Sequence, residues 1–126
     1  MELAQLFDEE LIFCLTAESQ EELFHQVADL LEERKIVKSS YREALLDREK
    51  SFPTGLDMEF LGKDLPNVAI PHTDIEHNLT ENVVVAKLDR PVTFHNMIVP
   101  SNEVQVSLLF FIINNSNASQ TNILAQ

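Results

Sequence analysis

R-E-K-S-F-P-T-G-L (Arg48–Leu56) and N-V-A-I-P-H-T (Asn67–Thr73) are the segments that decide the fold and the chemistry of this 126-residue chain. The apolar run Val68–Ile70 predicts a short buried strand. Pro71 has no N–H and stops the strand pairing, so His72 is expected just past the carboxyl end of an interior strand. That edge is the preferred place for ligands and chemistry in α/β sheets. The sequence therefore indicates a site at His72.

A turn is predicted over Phe52–Leu56. Pro53 presets its own φ, Gly55 can adopt a positive φ, and Thr54 places a hydroxyl between them. We expect this turn to form a shallow cleft with the end of the predicted strand. A lone histidine is more often structural than catalytic. The nearby turn and a neighbouring arginine shift the balance toward function.

The rest of the chain predicts a single α/β domain in which a mixed sheet of four or five strands is flanked by helices. Two S-x-x-E capping boxes mark helix starts. They are Ser19 with Glu22, for a helix to about Glu33, and Ser40 with Glu43, for a helix to about Lys50. Further strands are predicted from apolar runs at Leu11–Leu15, Asn82–Leu88, Pro91–Phe94 and Val104–Ile113.

Composition narrows the class of protein. The net charge of −12 argues against nucleic-acid binding and is compatible with a basic protein partner or with a solvated acidic surface. No signal peptide and no apolar run long enough to span a bilayer are evident. The single Cys14 cannot form an internal disulfide, and it lies in an apolar run that predicts a buried thiol. A cytoplasmic location is therefore expected.

Several kinds of site compete for the segment after Pro71. A metal could bind His72, Asp74, Glu76 and His77, but the two histidines are five residues apart and fall on different faces of a helix or strand. No zinc-binding spacing, no G-x-S-x-G elbow and no glycine-rich phosphate loop is present. We therefore expect neither a metal nor another cofactor, and His72 is left as a nucleophile among polar groups.

A neutral imidazole nitrogen can accept a phosphoryl group near pH 7. The transferred group carries charge on its outer oxygens, so the protein must supply hydrogen-bond donors. Arg48 and Thr54 are of the right types. Without further context, Arg48 would be interpreted as a helix-end cation and Thr54 as a turn residue.

The motifs R-E-x-x-F-P-T-G-L and N-V-A-I-P-H-T resemble those of the IIA (EIIA) components of the sugar phosphotransferase system (PTS), mannitol/fructose class. The resemblance covers nearly the whole chain and implies the α/β fold of that class. It implies a phosphohistidine intermediate, in which His72 receives phosphate from the phosphocarrier HPr and passes it to a cysteine of the cognate IIB (EIIB) component. The supporting arginine of the family falls on Arg48.

The resemblance also suggests a subtype. Many members carry a second active-site histidine in an H-L-x-L-L pattern after the long apolar strand, and here Gln120 takes that place in Gln120–Leu124. With F-P-T-G and with His77 closing the pattern P-H-x-x-x-x-H, this departure is similar to the galactitol-specific branch. By residue type and motif position, we expect Thr54, Gln120 and His77 to support the phosphate. His77 is expected to act only indirectly, because its spacing prevents it from sharing a face of a helix or strand with His72.

Three functions stay open. In the first, the chain is a phosphoryl carrier for uptake of a sugar or polyol, which meets the membrane only through the IIC (EIIC) component. In the second, it is a regulatory module of the same fold, as in the nitrogen-related IIA branch or in IIA-like domains attached to transcription regulators. In the third, His72 is structural and the domain only binds partners. For a carrier, apolar residues around His72, with Phe52, Leu56 and Ile75 as candidates, are expected to contact the partner proteins.

The C-terminal end carries a separate prediction. A helix is expected to begin near Ser119, and Gln126 falls only about two turns into it, too short for a stable helix without heavy packing. We therefore expect residues 1–126 to form one IIA-type domain that lacks its C-terminal helix or helices.

Overall fold

The computed structural model describes residues 7–58 and 65–115 of the chain. The described elements are, in order, strand β1 (Phe7–Leu15), helices α1 (Gln20–Glu33) and α2 (Tyr41–Ser51), strands β2 (Gly55–Leu56) and β3 (Asn67–Ala69), a short 3₁₀ turn (Ile75–His77), and strands β4 (Asn82–His95) and β5 (Glu103–Ile113).

The five strands form one mixed sheet in the order β1-β4-β5-β3-β2. Strands β4 and β5 pair antiparallel as a long hairpin, β1 and β3 run parallel to their neighbours in that hairpin, and β2 pairs antiparallel with β3. The predicted α/β domain with a mixed sheet is confirmed. The short strand that leads to His72 is interior, because β3 lies between β5 and β2.

The core lies between the sheet and the two helices. Helix α1 buries one apolar face, made of Leu23, Phe24, Val27, Ala28 and Leu31. The ring of Phe24 contacts those of Phe94 and Phe111 edge to face, at centroid distances of 5.8 and 5.9 Å. This packing anchors α1 on the central hairpin.

Two strand predictions need correction. The runs Asn82–Leu88 and Pro91–Phe94 belong to one strand, β4, whose pairing with β5 shifts register between Lys87 and Val92. Pro91 lies inside that irregularity. A proline is tolerated there, because an interrupted ladder does not require its missing N–H.

The predicted turn at Phe52–Leu56 is also different in detail, since its last two residues form β2. Gly55 does not adopt a positive φ. A Cβ at this position would lie 2.7 Å from the carbonyl oxygen of His95, which is much too close. The glycine is needed here for close approach of two backbones rather than for an unusual dihedral angle.

Local rules also misassigned two polar groups. Ser40 begins α2, but its side chain makes no capping hydrogen bond, so the second capping box is wrong. Cys14 is exposed rather than buried, because its side chain alternates out of the edge strand β1.

The last helix predicted near Ser119, together with Gln120, lies outside the described residues, so the prediction about the C-terminal end stays a prediction. In the described part of the chain, no helix combines the length and the apolar character that a membrane crossing requires.

Candidate functional site

His72 lies just beyond the carboxyl end of β3, at the place expected from the sequence. The Pro71 carbonyl accepts a hydrogen bond from the Ile112 amide at 3.1 Å, which keeps the segment at the edge of β5. The His72 ring is partly buried, and its Nδ1 lies 2.9 Å from the Ile70 carbonyl oxygen. Because a carbonyl can only accept, Nδ1 carries the proton and Nε2 keeps its lone pair. In this tautomer Nε2 has the lone pair that a nucleophile requires.

Electrostatics favour the neutral form of this ring. Burial lowers the pKa of His72 below its ordinary value, and the positive charge of Arg48 lowers it further. The hydrogen bond to Ile70 and the charge of Asp74 oppose this shift but do not cancel it. The lowered pKa keeps Nε2 unprotonated at neutral pH, as a nucleophile requires.

Arg48 lies in the last turn of α2 and is held from two sides. Its Nη1 donates to the Asp74 carboxylate at 3.3 Å, and its guanidinium carbon lies 5.2 Å from the centroid of the Phe52 ring. Its Nε is buried and has no hydrogen-bond partner within residues 7–58 and 65–115. A fixed guanidinium with an unused donor is suited to bind the oxygens of an anion.

An open groove of about 320 Å³ runs beside this arginine. Its lining residues come from α2, from the segment that follows it and from the segment after His72: Ala44, Asp47, Arg48, Ser51, Phe52, Asp74 and His77. The groove thus brings together Arg48 and His77, which the sequence had placed in one site. The described residues that line the groove include positively and negatively charged side chains and one exposed aromatic ring.

His77 is engaged with the start of α2. Its Nδ1 lies 2.8 Å from the Ser40 hydroxyl oxygen, and its Nε2 lies 3.7 Å from the Glu76 carboxylate. Its carbonyl accepts from the Lys38 amide at 2.9 Å. These contacts hold the 3₁₀ turn against the N-terminal end of α2, while the imidazole still faces the groove.

Thr54 is buried, and its hydroxyl is already used. The hydroxyl donates to the Glu49 carboxylate at 2.8 Å, and the Thr54 amide donates to the same carboxylate at 2.7 Å. The Thr54 carbonyl accepts from the Ile70 amide at 3.3 Å, which docks the segment onto the end of β3. The observed contacts of Thr54 are structural, and direct contact with phosphate stays a prediction.

Sequence reasoning missed Glu49. The motif R-E-x-x-F-P-T-G contains it between the two residues that were selected, but a glutamate in the last turn of a helix is normally solvated. Its signal was its position five residues before a threonine in a tight turn, which only the tertiary structure converts into a buried contact. Among the described residues, no group of three or more His, Cys, Asp and Glu side chains is arranged to hold a metal ion.

Comparison with known proteins gives a consistent result. The family described as "Phosphoenolpyruvate-dependent sugar phosphotransferase system, EIIA 2" matches residues 5–126. No curated protein matches the chain.

Several solved structures share the fold. A candidate PTS IIA protein, PtxA, from Streptococcus mutans is 26% identical with a TM-score of 0.74, and the match covers 99% of this chain and 74% of that one. Enzyme IIA for mannitol from Escherichia coli, solved in complex with phosphorylated enzyme IIB, is 25% identical with a TM-score of 0.67, over 95% of this chain and 82% of that one. The nitrogen regulatory protein IIA-Ntr from Neisseria meningitidis, at 23% identity, has a TM-score of 0.69 over 98% and 79%.

Proposed function

This chain belongs to the EIIA 2 family of the phosphoenolpyruvate-dependent sugar phosphotransferase system, and on that basis we propose that it is a phosphoryl carrier that works through His72. Members of the family are phosphotransferase components. The observation that supports His72 most strongly is the hydrogen bond from its Nδ1 to the Ile70 carbonyl, which leaves Nε2 free beside Arg48.

The proposed chemistry consists of two displacements at phosphorus. The Nε2 lone pair attacks the phosphoryl group of phospho-HPr, the new N–P bond forms, and the N–P bond to the HPr histidine breaks. A cysteine thiolate of IIB then attacks the same phosphorus, and the His72 N–P bond breaks. The proton stays on Nδ1 throughout, hydrogen-bonded to the Ile70 carbonyl, so no base is needed to free Nε2.

Arg48 supplies the electrostatic part of this proposal. The phosphoryl group spreads its charge over three oxygens, so positioned cationic donors contribute most of the stabilisation that the protein can offer. We propose that Nη1 of Arg48, which donates to the exposed Asp74 carboxylate at 3.3 Å, supplies such a donor. The Nε atom is buried and has no partner among the described residues. Thr54, His77 and Gln120 remain proposed supporting residues. His77 lines the same groove as Arg48, Thr54 is bound to Glu49, the residue after Arg48, and Gln120 rests on its motif position.

The proposed partners are HPr, which delivers the phosphate, and a cognate IIB, which receives it in the cytoplasm. The mannitol IIA structure in complex with phosphorylated IIB supports the second of these. Phe52 is 62% exposed beside Arg48 and is suited to an apolar contact with both partners. The net charge of −12 is expected to speed the encounter with a basic HPr surface, an effect that salt reduces.

The finer proposal is uptake of galactitol or a related polyol through a membrane IIC component. It is supported by the F-P-T-G motif, by His77 and by Gln120 at the position of the usual second histidine. The regulatory alternative is supported only by the shared fold of IIA-Ntr.

The test of the carrier function is phosphorylation in a mixture of phosphoenolpyruvate, enzyme I and HPr. The wild-type chain should be labelled and His72→Ala should not. His95→Ala is the matched control, because His95 is exposed and its Nδ1 contacts a carbonyl in the same manner, at 2.9 Å from Pro100. His77→Ala should accept phosphate at a reduced rate.

A label that persists on His72→Ala would refute the site. Absence of label on folded wild-type protein would favour a domain that only binds partners. Chasing the labelled chain with candidate IIB domains separates the other two functions, because a carrier loses its label to one of them and a regulatory module keeps it.

A further inference from the structure

Glu49 is a buried carboxylate that the proposed transfer does not use. Only 5% of it is exposed, although it lies in the last turn of a helix, directly after Arg48, which lines the open groove. Burial raises the pKa of this carboxyl, and the hydrogen bonds from Thr54 only partly offset that effect. A buried carboxylate is costly, so its contacts point to a role beyond solubility.

Glu49 holds the segment after α2 in place through its contacts with Thr54. Its two oxygens accept from two donors of one residue: the Thr54 amide at 2.7 Å, and the Thr54 hydroxyl, whose oxygen lies 2.8 and 3.1 Å from the two carboxylate oxygens. A single side chain therefore fixes both the backbone and the rotamer of Thr54. Arg48 precedes Glu49 in the chain, so the same helical turn carries the proposed phosphate ligand.

Thr54 is connected to His72 through the backbone of Ile70. The Thr54 carbonyl accepts from the Ile70 amide at 3.3 Å, and the Ile70 carbonyl accepts from Nδ1 of His72 at 2.9 Å. The Ile70 residue is thus held on its amide side by the segment that Glu49 fixes, and on its carbonyl side it selects the tautomer of His72. Glu49, Thr54 and Ile70 thus form a continuous hydrogen-bonded path to His72.

Resting on the proposed function, we propose that Glu49 is a positioning residue that keeps His72 in its Nδ1–H tautomer by fixing Thr54 and, through Thr54, the Ile70 carbonyl. Loss of the Glu49–Thr54 hydrogen bonds would let Ile70 move. A displacement of about one ångström at a reacting group is enough to lower the reaction rate substantially. Free imidazoles favour the opposite Nε2–H tautomer, in which the nucleophilic nitrogen carries a proton. The hydrogen-bonded path is therefore expected to set the fraction of molecules in which Nε2 of His72 is unprotonated and reactive.

Glu49→Gln is the main test, because glutamine keeps the shape but turns an NH₂ toward donors of Thr54. We expect the ¹⁵N chemical shifts of the His72 ring to show a mixture of tautomers, and the initial rate of phosphorylation by HPr to fall by ~10- to ~100-fold. Glu43→Gln is the matched control, since Glu43 is an exposed glutamate on the same helix. It should leave both readouts at wild-type values.

Two variants of Thr54 keep the proposal testable where Glu49→Gln fails to fold. Thr54→Ser retains the hydroxyl and should keep the wild-type tautomer. Thr54→Val retains the amide donor but not the hydroxyl, and it should shift the tautomer part of the way. Wild-type ring shifts in folded Glu49→Gln, or in Thr54→Val, would overturn the proposal.

The tautomer measurement requires no phosphoryl transfer. It therefore tests whether Glu49 controls the tautomer of His72 even if His72→Ala is still labelled and the proposed carrier site is refuted. In the reverse case, wild-type ring shifts in Glu49→Gln would remove the positioning role and leave His72 as the acceptor.

Discussion

The two helices begin with the same S-x-x-E sequence pattern, yet the structure uses it in two different ways. At α1, Ser19 is extended and its hydroxyl accepts from the Glu22 amide at 3.1 Å. The Glu22 carboxylate accepts in turn from the Glu18 amide at 3.2 Å. At α2, Ser40 has helical backbone angles, and its hydroxyl lies 2.8 Å from Nδ1 of His77.

The difference follows from what each helix packs against. Helix α1 buries five apolar side chains and satisfies its own first turn locally. Helix α2 buries Tyr41, Leu45 and the charged Glu49, and its polar groups contact the segments around His72. A helix that anchors the core can keep its local cap, whereas a helix beside a site gives the same hydroxyl to a tertiary partner. We therefore expect changes in α1 to act on stability and changes in α2 to act on transfer.

The largest effect on this contrast is expected from Phe24→Ala in α1. Removal of a fully buried ring that packs on Phe94 and Phe111 should lower the free energy of unfolding by ~3–5 kcal/mol. Urea denaturation measures the loss, and Glu33→Ala at the exposed end of α1 is the control. Molecules that remain folded should still accept phosphate at the wild-type rate. A loss of phosphoryl transfer in the folded fraction would contradict the expectation that changes in α1 act only on stability.

Arg48→Lys and Arg42→Lys compare two arginines of α2. Arg42 bridges to α1 through Asp29 and Glu32, whereas Arg48 faces Asp74 beside His72. Lysine lacks the planar fork of donors, so Arg48→Lys should fold normally and lose transfer rate by ~10²-fold. Arg42→Lys should change the free energy of unfolding by ~0–1 kcal/mol and leave transfer intact. Rapid-quench labelling measures both, and equal rates in the two variants would return Arg48 to an ordinary surface cation.

The two serines sharpen the comparison at smaller scale. Ser19→Ala removes a true N-cap and should cost ~1 kcal/mol of stability. Ser40→Ala removes no cap and should cost clearly less, but it should shift the NMR signals of the His77 ring. Thermal and urea unfolding of both variants, with ¹⁵N spectra of His77, provide the measurement. A Ser40→Ala variant as unstable as Ser19→Ala would show that the hydroxyl caps α2 in solution.

The smallest expected effect concerns pH. The folded pKa of His72 lies below the ordinary 6.5. The unfolded chain therefore binds more protons than the folded one near that pH, and the stability that neutral His72 contributes is present above 6.5 and lost as the pH falls through the folded pKa. The rate of phosphate acceptance should have its acidic midpoint below 6.5, and His72→Gln should flatten the matching part of the stability curve. A midpoint above 6.5 would contradict the depressed pKa.

Local sequence patterns determined much of this protein. The apolar run before Pro71 defined a short interior strand and placed His72 at its carboxyl end, because strand pairing requires N–H groups that proline lacks. The Ser19 box defined the start of α1, and the long apolar run of β5 defined a central strand. The motifs around Arg48 and His72 also indicated the family, because a motif can be identified without knowing the tertiary contacts.

Only the tertiary structure decided the remaining features, because each depends on partners distant in the chain. Pro91 stays within β4 since it falls where the ladder with β5 is irregular, and Gly55 is required by the backbone of His95. The Ser40 hydroxyl contacts His77, 37 residues away, instead of capping α2. Glu49 becomes buried because the segment after α2 folds back over its carboxylate, and no helical periodicity contains that information.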